Sequence, residues 1–124
     1  MFRFCSLYSG STGNSLFVET NNTKILVDTG ESCKKIVEGL SNIDVSINSI
    51  DGIIITHEHI DHVKGLGTIS KKFNIPVYAN SKTWDAMPIQ KDKIDDKNIR
   101  IFNVKESFEI GDLKINPFSI PHDA

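Results

Sequence analysis

The sequence predicts a mixed α/β domain: a layered sheet with helices on one face. Three observations carry this. Short apolar runs of strand length, Ile25-Leu26-Val27 and Ile53-Ile54-Ile55, punctuate the chain. Between and after them lie segments whose apolar residues recur at helical spacing. A turn-forming Gly111-Asp112 pair sits between two short apolar stretches near the C-terminus. At 124 residues the chain is long enough for one compact domain with its own core, and no repeat, low-complexity tract or linker divides it.

The elements follow in order. Phe2 to Tyr8 reads as a first strand and "SGSTGN", Ser9 to Asn14, as a loop of small turn formers. Ser15 to Thr20 is a second strand, and Asn21-Asn22 turns it into a third, Lys24 to Asp28, whose apolar run suits burial on both faces. Cys33, Ile36, Val37 and Leu40 share a helical face, so a helix is expected from Ser32 to Leu40. Gly52 to Thr56 is the most apolar strand and the natural centre of the sheet. A helix bearing Val63, Leu66, Ile69 and Phe73 follows, then a short strand from Ile75 to Ala79. Ser81 is a candidate cap for a helix carrying Trp84 and Met87. Ile99 to Val104 is a strand, and Ser107 to Ile110 with Leu113 to Ser119 forms the terminal hairpin.

Apolar residues make up 39% of the chain and charged residues 24%, ordinary for a globular protein. A formal net charge of −2 supplies no general attraction to nucleic acid or anionic membrane, although a bound metal would supply positive charge locally to a polyanionic substrate. Cys5 and Cys33 fit no C-x-x-C pattern and read as reduced, largely buried thiols of a cytoplasmic protein. No leader sequence is evident, and no apolar run approaches the roughly 20 residues a membrane-spanning helix needs.

Chemistry concentrates in "THEHIDH", Thr56 to His62, where three of the four histidines fall within six residues. Clustered imidazoles need hydrogen-bond partners and repel one another when protonated, and metal binding is the usual reason to accept that. His57 and His59, two apart in an extended segment, point to one side. Asp61 and His62, at the start of the next helix, can turn towards the same cleft. This donor set suits zinc, manganese or iron. His122, in "IPHDA" at the end of a predicted strand, is the candidate third histidine of a site with one position open to water; its neighbour Asp123 is a weaker candidate.

These residues resemble the metallo-β-lactamase fold superfamily, through Asp28 in "ILVDTG", "THEHIDH" and His122. The loop "SGSTGN" with "VDTG", "THEHIDHVKGLG", "IPVYAN" and "PHDA" in order is similar to its YycJ/WalJ-like branch. The resemblance implies an αββα sandwich of two similar halves with two divalent metal ions, zinc or manganese, between them. It implies that His57, His59 and His122 bind the first ion, that Asp61 and His62 bind the second, with Asp61 also orienting the nucleophile, and that Asp28 orients ligands from behind. In the loop, Ser9, Gly10, Gly13 and Asn14 would border the substrate, the glycines allowing a tight bend that Asn14 fixes near the cleft.

The family needs two further ligands, a bridging aspartate and a last histidine, which residues 1–124 do not supply; Glu58 and Asp123 are not obvious replacements. Residues 1–124 are therefore expected to be the N-terminal portion of such a domain, with the second half absent. On its own this portion is expected to hold one metal tightly or none, to have incomplete activity, and to self-associate through an exposed core face. The resemblance implies a metal-dependent phosphodiesterase, specifically a DNA exonuclease. Lys64, Lys71, Lys72 and Lys82 offer it a modest basic surface. The alternatives are a hydrolase of a small molecule (a cyclic phosphodiester, thioester or lactam) and a non-catalytic, associating half-domain.

Overall fold

The computed structural model describes residues 2–10 and 13–117. Eight strands and five short α-helices alternate along it: β1 (Phe2–Tyr8), β2 (Ser15–Thr20), β3 (Lys24–Val27), α1 (Cys33–Ser41), β4 (Gly52–Ile54), α2 (Ile60–Val63), α3 (Leu66–Phe73), β5 (Val77–Asn80), α4 (Ser81–Asp85), α5 (Pro88–Asp92), β6 (Ile99–Phe102), β7 (Phe108–Ile110) and β8 (Leu113–Ile115). Six strands form one mixed sheet in the order β1-β2-β3-β4-β5-β6, and β7-β8 is a separate hairpin. Pairing is antiparallel between β1, β2 and β3 and parallel from β3 to β6. The carboxyl ends of β3, β4, β5 and β6 therefore share one edge of the sheet.

Side chains alternate across the sheet, as the pleat requires. Phe17, Leu26, Ile53, Ile55, Val77 and Ala79 face the helices and pack with Ile36, Leu40, Leu66, Ile69 and Trp84. Val18, Ile25 and Ile54 face the other way and pack under Ile110 and Leu113 of the hairpin. Helices cover one face, as expected, and the hairpin caps part of the other. At the β1 end of that second face Phe2 and Phe4 stay exposed, 56% and 62%.

Several element boundaries differ from the sequence reading. The helix expected after the histidine cluster is two, α2 and α3, broken at Lys64-Gly65. The cap of α4 is Asn80, whose side chain accepts from Thr83 N–H, and Ser81 is its first residue. Met87 lies beyond that helix, and Pro88, favoured at a first helical position, opens a further one. The strand before Asp28 ends at Val27, because Asp28 turns to φ 66°. Ser32 caps α1 by accepting from Lys35 N–H, so the helix proper starts at Cys33.

Candidate functional site

The buried strand β4 delivers Thr56 and His57 to the carboxyl edge of the sheet. The adjacent β3 delivers Asp28 to the same edge, one strand away. Asp28 continues the pairing by donating its N–H to Ile54 O at 2.8 Å. Its left-handed backbone, which Asp tolerates better than most residues, swings the carboxyl group towards the histidine segment. There it is 6% exposed and accepts from Thr56 N–H at 2.8 Å, from the Thr56 hydroxyl at 2.6 Å and from His62 Nδ1 at 2.8 Å.

These contacts orient two rings and favour one tautomer of each. A carboxylate only accepts, so His62 carries its proton on Nδ1 and its lone pair on Nε2. The Thr56 hydroxyl spends its single proton on Asp28. It is then placed to accept from His57 Nδ1, 3.0 Å away, with Nε2 on the far side of the ring. One buried carboxylate thus orients His62 directly and His57 through Thr56, as outer hydrogen bonds do for ligating histidines. Sequence reasoning assigned Thr56 no role here; its place between an apolar strand and the first histidine was the available signal.

The main chain around this carboxylate is braided. Thr29 N–H donates to His62 O, Gly65 N–H to Thr29 O, Gly30 N–H to Asn14 O and Asn14 N–H to Asp61 O, all between 2.8 and 2.9 Å. Gly30 makes the braid possible, because a β-carbon there would overlap the Asp61 carbonyl oxygen and crowd Asn14 N. The loop glycines behave differently from each other. Gly10 is exposed and bends with φ 109°, whereas Gly13 lies over the buried side chain of Glu31, another residue missed from sequence. Glu31 in turn pairs with Lys35 Nζ at 3.6 Å. Ser9 is exposed beside Gly10.

His57, His59, Asp61 and His62 come together on this edge. The ring centroids of His57 and His62 are 5.0 Å apart and those of His57 and His59 6.2 Å. His62 Nε2 stands 3.5 Å from Asp61 Oδ2. Two donors each about 2.1 Å from one tetrahedral ion are about 3.4 Å apart, so this pair has the spacing of two ligands of a single metal. The donor chemistry and this spacing fit a divalent cation. Among the described residues no three His, Cys, Asp or Glu side chains already form a complete group around an ion. A third donor would have to come from rotation of His57 or His59 or from His122. His122 and Asp123 lie outside the described residues.

The expected basic surface is divided. Lys64 and Lys82 lie near the carboxyl edge. Lys71 and Lys72, in the last turn of α3, lie towards the opposite edge, because a crossover helix between parallel strands runs back against them. Lys72 instead sits 5.5 Å from the ring centroid of Phe73. Among the described residues no helix is long and apolar enough to cross a membrane.

The family described as the Metallo-beta-lactamase superfamily matches residues 8–121. The chain is 44% identical over 121 residues to exodeoxyribonuclease YycJ of Bacillus anthracis, a match spanning 98% of this chain and 46% of that protein. It is 42% identical over 125 residues to exodeoxyribonuclease WalJ of Streptococcus pneumoniae serotype 2, spanning 99% of this chain and 46% of the relative. The chain thus covers about half the length of these relatives. Among solved structures it resembles a subclass B3 metallo-beta-lactamase of Bradyrhizobium japonicum, with TM-score 0.70 at 19% identity over 87% of this chain and 46% of the other, a likeness of fold alone.

Proposed function

Because the chain belongs to the metallo-beta-lactamase superfamily, we propose that its protein is a metal-dependent phosphodiesterase acting as a DNA exonuclease. The observation that carries the reading is the pairing of His62 Nε2 with Asp61 Oδ2 at ligand spacing above a carboxylate that orients the His62 ring. The nuclease component is supported by similarity across nearly the whole chain to two proteins named exodeoxyribonucleases.

In this reading His57, His59 and His122 hold one divalent ion and Asp61 and His62 a second, with zinc or manganese both suited to the donors. Such ions lower the pKa of a water and offset charge on phosphoryl oxygens. The chain's own residues do the positioning. Asp28 holds His62 directly and His57 through Thr56. Asp61 would orient the attacking water, and Ser9, Gly10, Gly13 and Asn14 would border the substrate strand. Cys5 and Cys33 are free thiols, which suits a reducing, cytoplasmic setting. The exposed Phe2 and Phe4 offer a surface for self-association, to be read by light scattering at rising concentration.

The test is a substrate panel with single-stranded DNA, duplex DNA and bis-p-nitrophenyl phosphate, assayed with zinc and with manganese. Release of mononucleotides from DNA ends is expected, abolished by His57→Ala. Turnover of the small ester alone would replace the nuclease reading with a small-molecule hydrolase.

A further inference from the structure

Asn14 makes more contacts with one residue than a loop-closing side chain needs. Its Nδ2 lies 3.2 Å from Asp61 Oδ2, 3.3 Å from Asp61 O and 3.0 Å from Gly10 O. Its main-chain N–H also donates to Asp61 O at 2.8 Å, and its own carbonyl accepts from Gly30 N–H. One asparagine therefore grips Asp61 at both main chain and carboxylate. The oxygen it holds is Oδ2, the one facing His62 Nε2 at 3.5 Å. An aspartate carboxyl group rotates readily about its last bond. A donor fixed by the Gly10 carbonyl removes that freedom and keeps Oδ2 turned to the histidine.

We propose that Asn14 is a positioning residue that aims Asp61 Oδ2 and His62 Nε2 at a shared divalent cation, and so tunes the affinity of that metal position. This rests on the metal-dependent reading above. Asn14 then has a task separate from bordering substrate: it supplies an outer hydrogen bond to Asp61, as Asp28 does to His62.

The experiment measures cation affinity rather than turnover. Mn2+ binding to the intact protein is followed by calorimetry, and the d–d absorption of Co2+ reports ligand geometry. Four variants are compared with the parent: Asn14→Ala, Asn14→Asp, Asp61→Ala and the double variant Asn14→Ala/Asp61→Ala. Asn14→Ala keeps the main-chain bonds to Asp61 and Gly30, so unfolding in chelator is expected to change little. Its cation affinity is expected to fall about tenfold with a shifted Co2+ spectrum. Asn14→Asp, which replaces the donor with an acceptor, is expected to lose at least as much. In the Asp61→Ala background, removal of the Asn14 side chain is expected to cost nothing further. Wild-type affinity and spectrum in both Asn14 variants, or an equal loss with and without Asp61, would overturn the proposal while leaving the metal reading intact. Unchanged binding in Asp61→Ala alone would remove Asp61 from the cation site, and the proposal with it, while the three-histidine position of the metal reading would stand.

Discussion

The braid at the carboxyl edge and the β7-β8 hairpin are both packed against the same sheet, yet they are held by different means. At the edge, Asp28, Thr29, Gly30 and Glu31 are all buried, and main chain bonds main chain across three segments with no space for a β-carbon. The hairpin rests on Ile110 and Leu113, and its turn is tied to the sheet by side chains: at the surface Asp112 accepts from the Thr20 hydroxyl at 2.6 Å and from Asn22 at 3.4 Å, and beneath it the buried Thr23 accepts from Asp112 N–H at 3.1 Å. Water can replace most of what the hairpin turn loses; nothing can replace what the braid loses. Buried, interlocked backbone fixes atoms to fractions of an ångström, which the proposed metal site needs, and makes that edge intolerant of substitution.

The sharpest way to break this contrast is Gly30→Ala. The added carbon would have to displace Asp61 O or Asn14 N, both main-chain atoms in the braid. A loss of about 3 kcal/mol or more is expected, or failure to fold. Thermal unfolding in chelator reads it. A change below about 0.5 kcal/mol would show that the two loops can part cheaply and that the braid is not rigid.

Asp28→Ala comes next. It strands His62 Nδ1 and puts alanine at φ 66°, for an expected loss of about 2–3 kcal/mol. Asp28→Asn separates the two effects. Asparagine also tolerates the left-handed backbone, so its stability loss should be smaller. Its cation affinity should still fall, because the amide no longer fixes the His62 tautomer by charge. Equal affinity in Asp28→Asn and the parent, by calorimetry with Mn2+, would deny Asp28 its orienting role.

How far these regions could be read from sequence follows the same divide. β1 and β2 match their apolar runs end to end, and the Gly111-Asp112 turn was plain, because pleat alternation and turn chemistry are local signals. The four side chains of the H-x-H-x-D-H segment were legible for the same reason. Thr56, Gly30 and Glu31 were not, since their roles come from contacts between segments that only the assembled sheet brings together. Asn14 lies between the two cases: the resemblance puts it near the cleft, but its partner Asp61, 47 residues away, was not legible. The break between α2 and α3 also escaped notice, because Val63, Leu66, Ile69 and Phe73 keep a helical rhythm across it while Gly65 is drawn to Thr29 O.

On the hairpin side the largest expected effect is Gly111→Ala. Gly111 has φ 56°, and a β-carbon there would overlap Thr23 Oγ1, the acceptor for Asp112 N–H. The cost should be about 1–2 kcal/mol, below that of either substitution at the carboxyl edge, because the turn can lift into solvent. Cation affinity should be unchanged. Loss of Mn2+ binding in this variant would mean that the two regions are coupled through the sheet.

The smallest effect is expected from acid. Thr20 foremost, then Thr23, and Asn22 more weakly hold the Asp112 carboxyl below its ordinary value of 3.8. A carboxyl group whose pKa is depressed by folding stabilises the folded form fully above its unfolded value. That contribution fades as pH falls through the lower, folded value. The hairpin should therefore loosen only below about pH 4, and the change should be small because Asp112 is exposed and its partners can turn to water. Amide hydrogen exchange at Asp112 and Leu113 should quicken relative to the buried strand β4 over that range, and Asp112→Asn should remove the pH dependence. If the exchange rates of the hairpin and β4 rose together instead, acid would be acting on the whole domain, and the hairpin would not be the separately tethered, more loosely held region that its surface bonds describe.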